Sequence, residues 1–287
     1  MDLKIVRKTG AVGLLCLLSA PFAGCEQPEL LCNVASGAYA VQYFPKDAGD
    51  DCLMLPGELI GMAVYNPPNA DKTGFDSTRT MISVQALSMG ALADEAQAKA
   101  GAVDADRDHT PFSMGDYSNR PSEDSFCSAP RLTAAEQHIP ETAYTDADGE
   151  QHVFPETRLT YEWSDLSVHM TFATPGNAAT GTVTITKEVM DPATRMTSSC
   201  ASTYIASALF PTVSCGATDA MGKPTGVPDD TRCCATADLA NDRSLGSGIH
   251  PDFKLKCDPT LLLCVLDWRP GEAFPPLGGN AFCGRSE

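Results

Sequence analysis

The spacing of cysteines constrains the fold of this 287-residue chain more than any other feature. Twelve cysteines are spread from Cys16 to Cys283, and none forms a CxxC pair or another compact metal-binding spacing. Dispersed cysteines at this density are typical of proteins that fold outside the cytoplasm, where thiols oxidise to disulfides. We therefore expect a fold held together by disulfide bonds, with no metal centre among the cysteines.

Residues 1–24 have the three parts of a secretory leader. Lys4, Arg7 and Lys8 form a positively charged start, and the apolar stretch from Ala11 to Ala20 is too short to span a bilayer. Residues 22–25 then read FAGC and place Cys25 where a leader is cut. This ending resembles the lipobox of bacterial lipoproteins, although Phe stands where that family most often has Leu.

The resemblance implies lipidation of Cys25. In that family the cysteine thiol receives a diacylglyceryl group, the leader is removed, and the new amino terminus is usually acylated as well. The alternative is an ordinary leader, with Cys25 forming a disulfide. Cysteine parity favours lipidation, because loss of Cys16 with the leader and lipidation of Cys25 leave ten cysteines, an even number.

A lipidated Cys25 would hold the protein on a membrane without a transmembrane helix. Residues 25–31 would form a short tether before the folded part. Glu26 follows the cysteine, and in the sorting rule of enteric lipoproteins Asp at that place favours the inner membrane. The resemblance therefore implies an exported protein on the outer membrane, facing the periplasm or the cell surface. The covalent lipid is the one cofactor expected.

The net charge of −17 limits the possible partners. Negative charge repels the phosphates of nucleic acids and anionic lipid headgroups alike. We expect no nucleic-acid partner and membrane attachment through the lipid anchor. A protein or a small apolar ligand remains open as a partner.

Alternating residues predict antiparallel strands over residues 32–211. Thr157 to Trp163 is the clearest case, because Leu159, Tyr161 and Trp163 share one face and the polar residues between them share the other. Short strands in hairpin order favour a mainly β fold, an antiparallel β-sandwich, with an up-and-down β-barrel as the alternative. One helix is expected from Ala91 to Ala100. Residues 101–155 are rich in acidic residues and proline, and they are predicted to be a long excursion with one short strand near residues 112–117.

Residues 212–287 form a cysteine-rich, loop-dominated tail with too few apolar residues for a core that stands without disulfides. A hairpin from Phe253 to Val265 is expected to lie on the larger domain. Leader, lipobox, β-rich body and cysteine-rich end together resemble the layout of uncharacterised cysteine-rich lipoproteins of myxobacterial type, a resemblance that implies no activity.

Ten cysteines are disulfide candidates, four in the β domain and six in the tail, and each even-numbered set is expected to pair within itself. A bond between Cys32 and Cys52 is disfavoured, because an antiparallel hairpin places them toward opposite ends. The candidates are Cys32, Cys52, Cys127, Cys200, Cys215, Cys233, Cys234, Cys257, Cys264 and Cys283.

A weak calcium candidate lies at Asp104, Asp106 and Asp108, whose alternate carboxylates match the start of a calcium loop. An EF-hand would require Gly at the place of His109 and Glu at the place of Gly115, so a solvated acidic loop is the preferred interpretation.

No catalytic residue is predicted, because the sequence contains no HExxH, GxSxG or GxGxxG motif. His169 falls on the polar side of its strand and is interpreted as an exposed histidine, with a general base beside Glu162 as the alternative. Trp163 is assigned to the core, and it could otherwise line a ligand groove together with Trp268.

Three functional classes follow. A binding or envelope-structural module fits best, because a disulfide-bonded β-domain beside a membrane can present loops to a partner and the sequence shows no nucleophile. An extracytoplasmic hydrolase would require a histidine and carboxylates gathered in a cleft. A carrier of lipid or another apolar ligand would require a large apolar cavity.

Overall fold

One large antiparallel sheet organises the chain up to residue 209. The structure, a computed structural model, describes residues 29–47, 49, 51–100, 110–237, 239 and 245–283. Nine strands form the sheet: eight follow the order β4-β3-β2-β1-β11-β10-β9-β5, and the ninth, β6, pairs with residues 157–161 of β9 at the same edge as β5. In chain order the strands are β1 Gly37–Pro45, β2 Gly57–Tyr65, β3 Thr80–Ala86, β4 Ser113–Tyr117, β5 Phe126–Arg131, β6 Ala135–Ile139, β7 Thr142–Thr145, β8 Gln151–Phe154, β9 Thr157–Met170, β10 Pro175–Met190, β11 Thr197–Leu209, β12 Gly216–Thr218, β13 Pro224–Pro228, β14 Leu255–Cys257 and β15 Cys264–Leu266.

The first and last strands of the sheet are neighbours. β1 pairs with β11 from Ala40 opposite Leu209 to Pro45 opposite Tyr204, so the two halves of the sheet meet at its centre. The predicted mainly β, antiparallel fold with a disulfide-rich C-terminal region is confirmed. As described, the sheet is not closed: β4 forms one edge, and β5 and β6 form the other.

The sheet curls until its two edges approach each other. The Ser118 N–H donates to the carbonyl of Ser128 at 3.0 Å, and the Thr133 N–H donates to the carbonyl of Met114 at 2.7 Å. Gly115 lies at this approach, where a Cβ would collide with the carbonyl oxygen of Arg131. The close contact therefore requires glycine at this position of β4.

The concave face of the curled sheet holds the main core. Tyr39, Tyr161, Trp163 and Ile185 are buried there, as strand alternation predicts, and they pack in one cluster with side chains from the neighbouring strands. Trp163 is thus a core residue, and the interpretation of Leu159, Tyr161 and Trp163 as inward-facing is confirmed.

The segment between residues 101 and 155 differs from the prediction of one strand and a long excursion. Residues 101–109 lie outside the described part, and β4 follows close to the place expected for the single strand. Four more strands, β5 to β8, then occupy Phe126 to Phe154. They are only four to six residues long, so period-two alternation is too short to separate them from loops.

A single α-helix, α1, is described between β3 and β4, and it runs from Leu87 to Ala100. The sequence predicts its end correctly but starts it four residues too late. Met89 and Ala96 are the buried residues of the helix, and Ala96 packs with Ile139 and Phe154. In the described part of the chain, no helix combines the length and the apolar character needed to cross a membrane.

The tail builds its core together with the convex face of the sheet. Phe253 and Trp268 of the tail cluster with Leu209 of β11, and the ring of Trp268 meets that of Phe44 edge-on at 5.7 Å. β14 and β15 form the expected hairpin, which pairs Leu255 with Leu266. A second short hairpin pairs β12 with β13.

Five disulfides join all ten candidate cysteines. Cys32 bonds to Cys127, Cys52 to Cys200, Cys215 to Cys257, Cys233 to Cys264 and Cys234 to Cys283. The first two bonds lie within the β region and the other three within the tail. The neighbouring Cys233 and Cys234 bond to different partners.

The main sheet has two ends that face opposite ways. We call one the entry end, because the described chain enters the sheet there; it consists of residues 29–36 and the loops 66–79, 118–125 and 171–174. The strand register places these segments together, since Tyr65 pairs with Met81, Thr80 with Tyr117, and Phe126 with His169. The other is the helix end, with α1, the β1–β2 connection and loop 191–196.

Candidate functional site

A cleft of about 470 Å³ opens at the helix end, between α1 and the sheet. This volume lies in the usual range of small-molecule sites. Most of the lining is apolar, with a few polar groups at the floor and rim: Leu53, Leu55, Gly57, Glu58, Leu87, Ser88, Ala91, Leu92, Glu95, Leu159, Tyr161, Ile185 and Lys187.

Glu58 of β2 is the polar centre of the cleft. Its Oε1 accepts hydrogen bonds from the hydroxyls of Tyr161 at 2.6 Å and Tyr43 at 3.0 Å, while its Oε2 accepts from the Ser88 N–H at 2.9 Å. The Tyr161 hydroxyl donates its only proton to Glu58, so the Ser88 hydroxyl donates to Tyr161 at 2.7 Å. One carboxylate thus joins strands β1, β2 and β9 to the helix.

Burial keeps both tyrosines protonated. Burial raises the pKa of Tyr161 far above its usual value, and the neighbouring Glu58 charge raises it further. The pKa of Tyr43 is raised by the same two causes in the same order. Both phenols therefore remain hydrogen-bond donors to Glu58 at any physiological pH.

Glu58 also explains where α1 begins. Ser88 is the second residue of the helix, and its N–H is one of the groups that has no partner within the helix. The Glu58 carboxylate supplies that partner from a neighbouring strand and places negative charge at the positive end of the helix dipole. Sequence reasoning missed this start because the capping group is thirty residues away in the chain.

One wall of the cleft is a strap, residues 52–56, which is the last part of the connection from β1 to β2. The disulfide between Cys52 and Cys200 ties the strap to β11, and the Cys52 N–H donates to the Ser202 hydroxyl at 3.2 Å. Leu53 and Leu55 of the strap line the cleft. The disulfide therefore fixes the position of an apolar wall.

The rim of the cleft carries charge, although most of the lining is apolar. Lys187 and Glu95 line the opening, and Lys99 lies 2.6 Å from Glu95 as an exposed helical ion pair. Leu87 is 58% exposed beside them. The arrangement suits a ligand with an apolar body that reaches the floor and a polar group that stays near the rim or meets Glu58.

A larger depression of about 720 Å³ lies in the tail. Thr236, His250, Asp252 and Cys283 are among its lining residues.

Two of the sites singled out in the sequence lie outside the described residues. These are the lipidation site Cys25 and the calcium candidates Asp104, Asp106 and Asp108.

His169 is buried, contrary to its interpretation as an exposed histidine. Only 8% of it is accessible, because Phe126 meets its ring edge-on at 5.5 Å and the 171–174 loop folds back over it. Its Nδ1 lies 3.2 Å from the hydroxyl of Thr174. Burial lowers the pKa of His169 below its usual value, so the imidazole is held neutral.

Trp268 lies in the core between sheet and tail. It is 5% exposed, its indole N–H donates to the Glu272 carbonyl at 3.2 Å, and its ring meets Phe274 edge-on at 5.3 Å.

Asp146 lies in the turn between β7 and β8, which contains the Asp148-Gly149 pair. Its carboxylate accepts from the N–H groups of Asp148 and Glu150 and lies 2.8 Å from His152. Glu150 and His152 are close enough to form a three-ligand group with Asp146. These contacts are accounted for by the turn itself.

The chain resembles known proteins over most of its length. The MlpA family matches residues 37–211, from the start of β1 to just beyond β11. A relative from Myxococcus xanthus named "Putative lipoprotein MlpA" is 27% identical over 245 residues, which are 83% of this chain and 84% of the relative. No solved structure matches the chain. Because the family match covers more than half of the sequence, the chain belongs to the MlpA family.

Proposed function

We propose that this protein is an exported lipoprotein, anchored to the outer membrane through lipid on Cys25, whose β region is a ligand-binding module. The cleft beneath α1 is the observation that carries the binding role, because it combines an apolar lining with the fixed polar group Glu58.

The use of cysteines supports the anchor. The five disulfides occupy every cysteine from Cys32 onward, which leaves only Cys16 and Cys25 without a disulfide assignment. Cys16 belongs to the leader, and Cys25 closes the FAGC motif. The Myxococcus xanthus relative is itself named as a lipoprotein, in agreement with this assignment. Glu26, in place of Asp, supports the outer membrane as the destination.

The apolar lining also favours a second candidate, a carrier of a lipid or another apolar ligand. A hydrolase is less well supported, because the described lining of the cleft contains no histidine and His169 lies against Phe126 and Thr174. A carrier transfers its ligand to another molecule, whereas a binding module does not need to do so. Both functions require that the cleft accept an apolar molecule.

Replacement of Cys25 by serine tests the anchor. We expect wild-type protein in the membrane fraction, released by detergent, and Cys25→Ser in the soluble fraction, because serine offers no thiol for lipid attachment. Mass spectrometry of the mature amino terminus measures the lipid directly. A soluble wild type, or an unmodified Cys25, would contradict the anchor and leave the cleft to be tested separately.

Filling the cleft tests the binding role. Ala91 and Ala98 are both exposed on α1, but only Ala91 lines the cleft, so Ala91→Trp and Ala98→Trp form a matched pair. The probe is N-phenyl-1-naphthylamine, a neutral apolar dye, titrated by fluorescence against the full chain carrying Cys25→Ser, which avoids detergent.

We expect Ala91→Trp to weaken dye binding by about tenfold or more, because the indole occupies the volume that the dye requires. Ala98→Trp should bind as the parent does. Equal binding by both variants, or no binding by the parent, would show that the cleft is not a ligand site.

A further inference from the structure

Three exposed apolar side chains lie at the entry end of the sheet. Phe75 is 82% exposed in loop 66–79, Phe172 is 56% exposed in loop 171–174, and Leu31 is 42% exposed just before the first disulfide. Single exposed apolar residues are ordinary on protein surfaces. Two phenylalanines in loops and a leucine in the entering chain, however, place exposed apolar surface at the same end of the sheet.

Hydrogen bonds around Asn119 join the segments that carry these side chains. The Asn119 carbonyl accepts from the Cys32 N–H at 3.0 Å, and its side-chain amide donates to the Thr78 carbonyl at 2.8 Å. In the same loop, the Ser125 carbonyl accepts from the Met170 N–H at 2.8 Å. The disulfide from Cys32 to Cys127 adds a covalent link, so the entry end is one connected surface.

The entry end is also the end closest to the proposed anchor. Cys32 follows Cys25 by seven residues, and a fully extended chain of that length spans at most about 25 Å. Cys32 itself is held in place by Cys127. The lipid at Cys25 therefore lies within about 25 Å of Cys32, at the end of the sheet that also carries Phe75 and Phe172.

We propose that the entry end is a membrane-contact surface, with Phe75, Phe172 and Leu31 buried in the interface of the bilayer that holds the anchor. This inference rests on the proposed lipidation of Cys25. The free energy decreases when apolar side chains leave water for the boundary between headgroups and acyl chains. Contact at three points restricts the tilt of the protein, and the cleft at the helix end then faces away from the membrane.

The charges of the entry end select the type of lipid. Its loops carry four acidic residues, Asp71, Asp76, Glu123 and Asp124, against the three basic residues Lys72, Arg79 and Arg120, and Glu29 adds a fifth carboxylate. Hydrogen bonds from the Thr73 and Thr78 side chains lower the pKa of Asp71 and Asp76, which keeps these carboxylates ionised. Anionic headgroups repel such a surface within a Debye length. The surface therefore fits a zwitterionic bilayer.

Tryptophan replacements test the contact in the lipidated full-length protein. Phe75→Trp and Phe172→Trp place a fluorophore at the entry end, and Met196→Trp is the control because Met196 is 71% exposed in loop 191–196 at the helix end. The native Trp163 and Trp268 are buried and give a constant background. The proteins are reconstituted in phosphatidylcholine vesicles whose acyl chains carry bromine, which quenches tryptophan at short range.

We expect bromine to quench the added fluorescence of Phe75→Trp and Phe172→Trp by about twofold or more, and to leave that of Met196→Trp unchanged, since only interfacial residues come near the acyl chains. Anionic lipid at low salt should reduce the quenching, and added salt should restore it. Equal quenching at all three positions would overturn the defined orientation.

Vesicle flotation separates the two hypotheses. If the protein floats with the vesicles but Phe75→Trp and Phe172→Trp are not quenched, the anchor stands and the contact surface is refuted; the two phenylalanines then serve a protein partner or none. If the protein does not float, the lipid anchor itself has failed.

Discussion

His169 shows how the environment of one side chain can depart from strand alternation. Alternation correctly places it on the convex face of β9, opposite to the core residue Val168. That face is covered at this point, because Phe126 lies against the imidazole and Phe274 of the tail lies against Phe126. Alternation within one strand contains no information about the tail, so the burial could not be predicted.

The buried imidazole should make stability depend on pH. The pKa of His169 is lowered in the folded protein, whereas the unfolded chain binds a proton near the ordinary value of 6.5. Above that value the group is neutral in both states. As the pH falls below it, the unfolded state binds more protons, so the free energy of unfolding decreases until the folded pKa is reached.

Replacement by glutamine, which keeps a hydrogen-bonding group but cannot titrate, isolates this effect. We expect the free energy of unfolding to fall less for His169→Gln than for wild type between about pH 7.5 and about pH 5.5. Urea denaturation at both pH values measures the difference. If the free energy of unfolding decreases by the same amount in both proteins, His169 is protonated equally in the folded and unfolded states.

Strands can be predicted from the sequence where the alternation of apolar and polar side chains extends over many residues. β9 to β11 contain between 13 and 16 residues each, and their alternation and hairpin order are visible in the sequence. β5 to β8 are too short for that signal, and the first turn of α1 depends on Glu58, a distant residue. Local pattern therefore predicts the sheet and the end of the helix, but it misses the contacts that create the cleft.

The cleft itself has no sequence signature. Its lining comes from the strap, α1, β2, β9 and β10, and within each of these segments the contributing leucines and isoleucine resemble ordinary core residues. Glu58 was the one available signal, as a carboxylate in an otherwise apolar stretch between Gly57 and Ile60. Only the pairing of distant strands shows that it meets Tyr43 and Tyr161.

At the scale of the whole molecule, the chain divides near residue 211, and we propose this division as a domain boundary. The family match ends there, and no disulfide among the described residues crosses it. The two parts still share apolar contacts, since Phe44 and Leu209 of the sheet pack with Phe253 of the tail. The tail therefore depends on its own disulfides and on the surface of the sheet.

Reduction should loosen the tail before it unfolds the sheet. The tail has three disulfides, each contributing about 2–4 kcal/mol, and only short strands of three to five residues, so little else opposes its chain entropy. The main sheet keeps a large core that its two disulfides only supplement. Limited proteolysis under increasing reductant, with fragments assigned by mass spectrometry, should thus show cuts after Pro211 first.

Cys52 complicates the order of reduction, because it is the one disulfide cysteine of the described chain that is exposed, and its bond to Cys200 should open early. A Cys52→Ser, Cys200→Ser variant removes that bond and should still be cut first in the tail. Early cuts within β1 to β11 in this variant, with the tail intact, would mean that the sheet depends on its disulfides more than the tail does and that the boundary near Pro211 is misplaced.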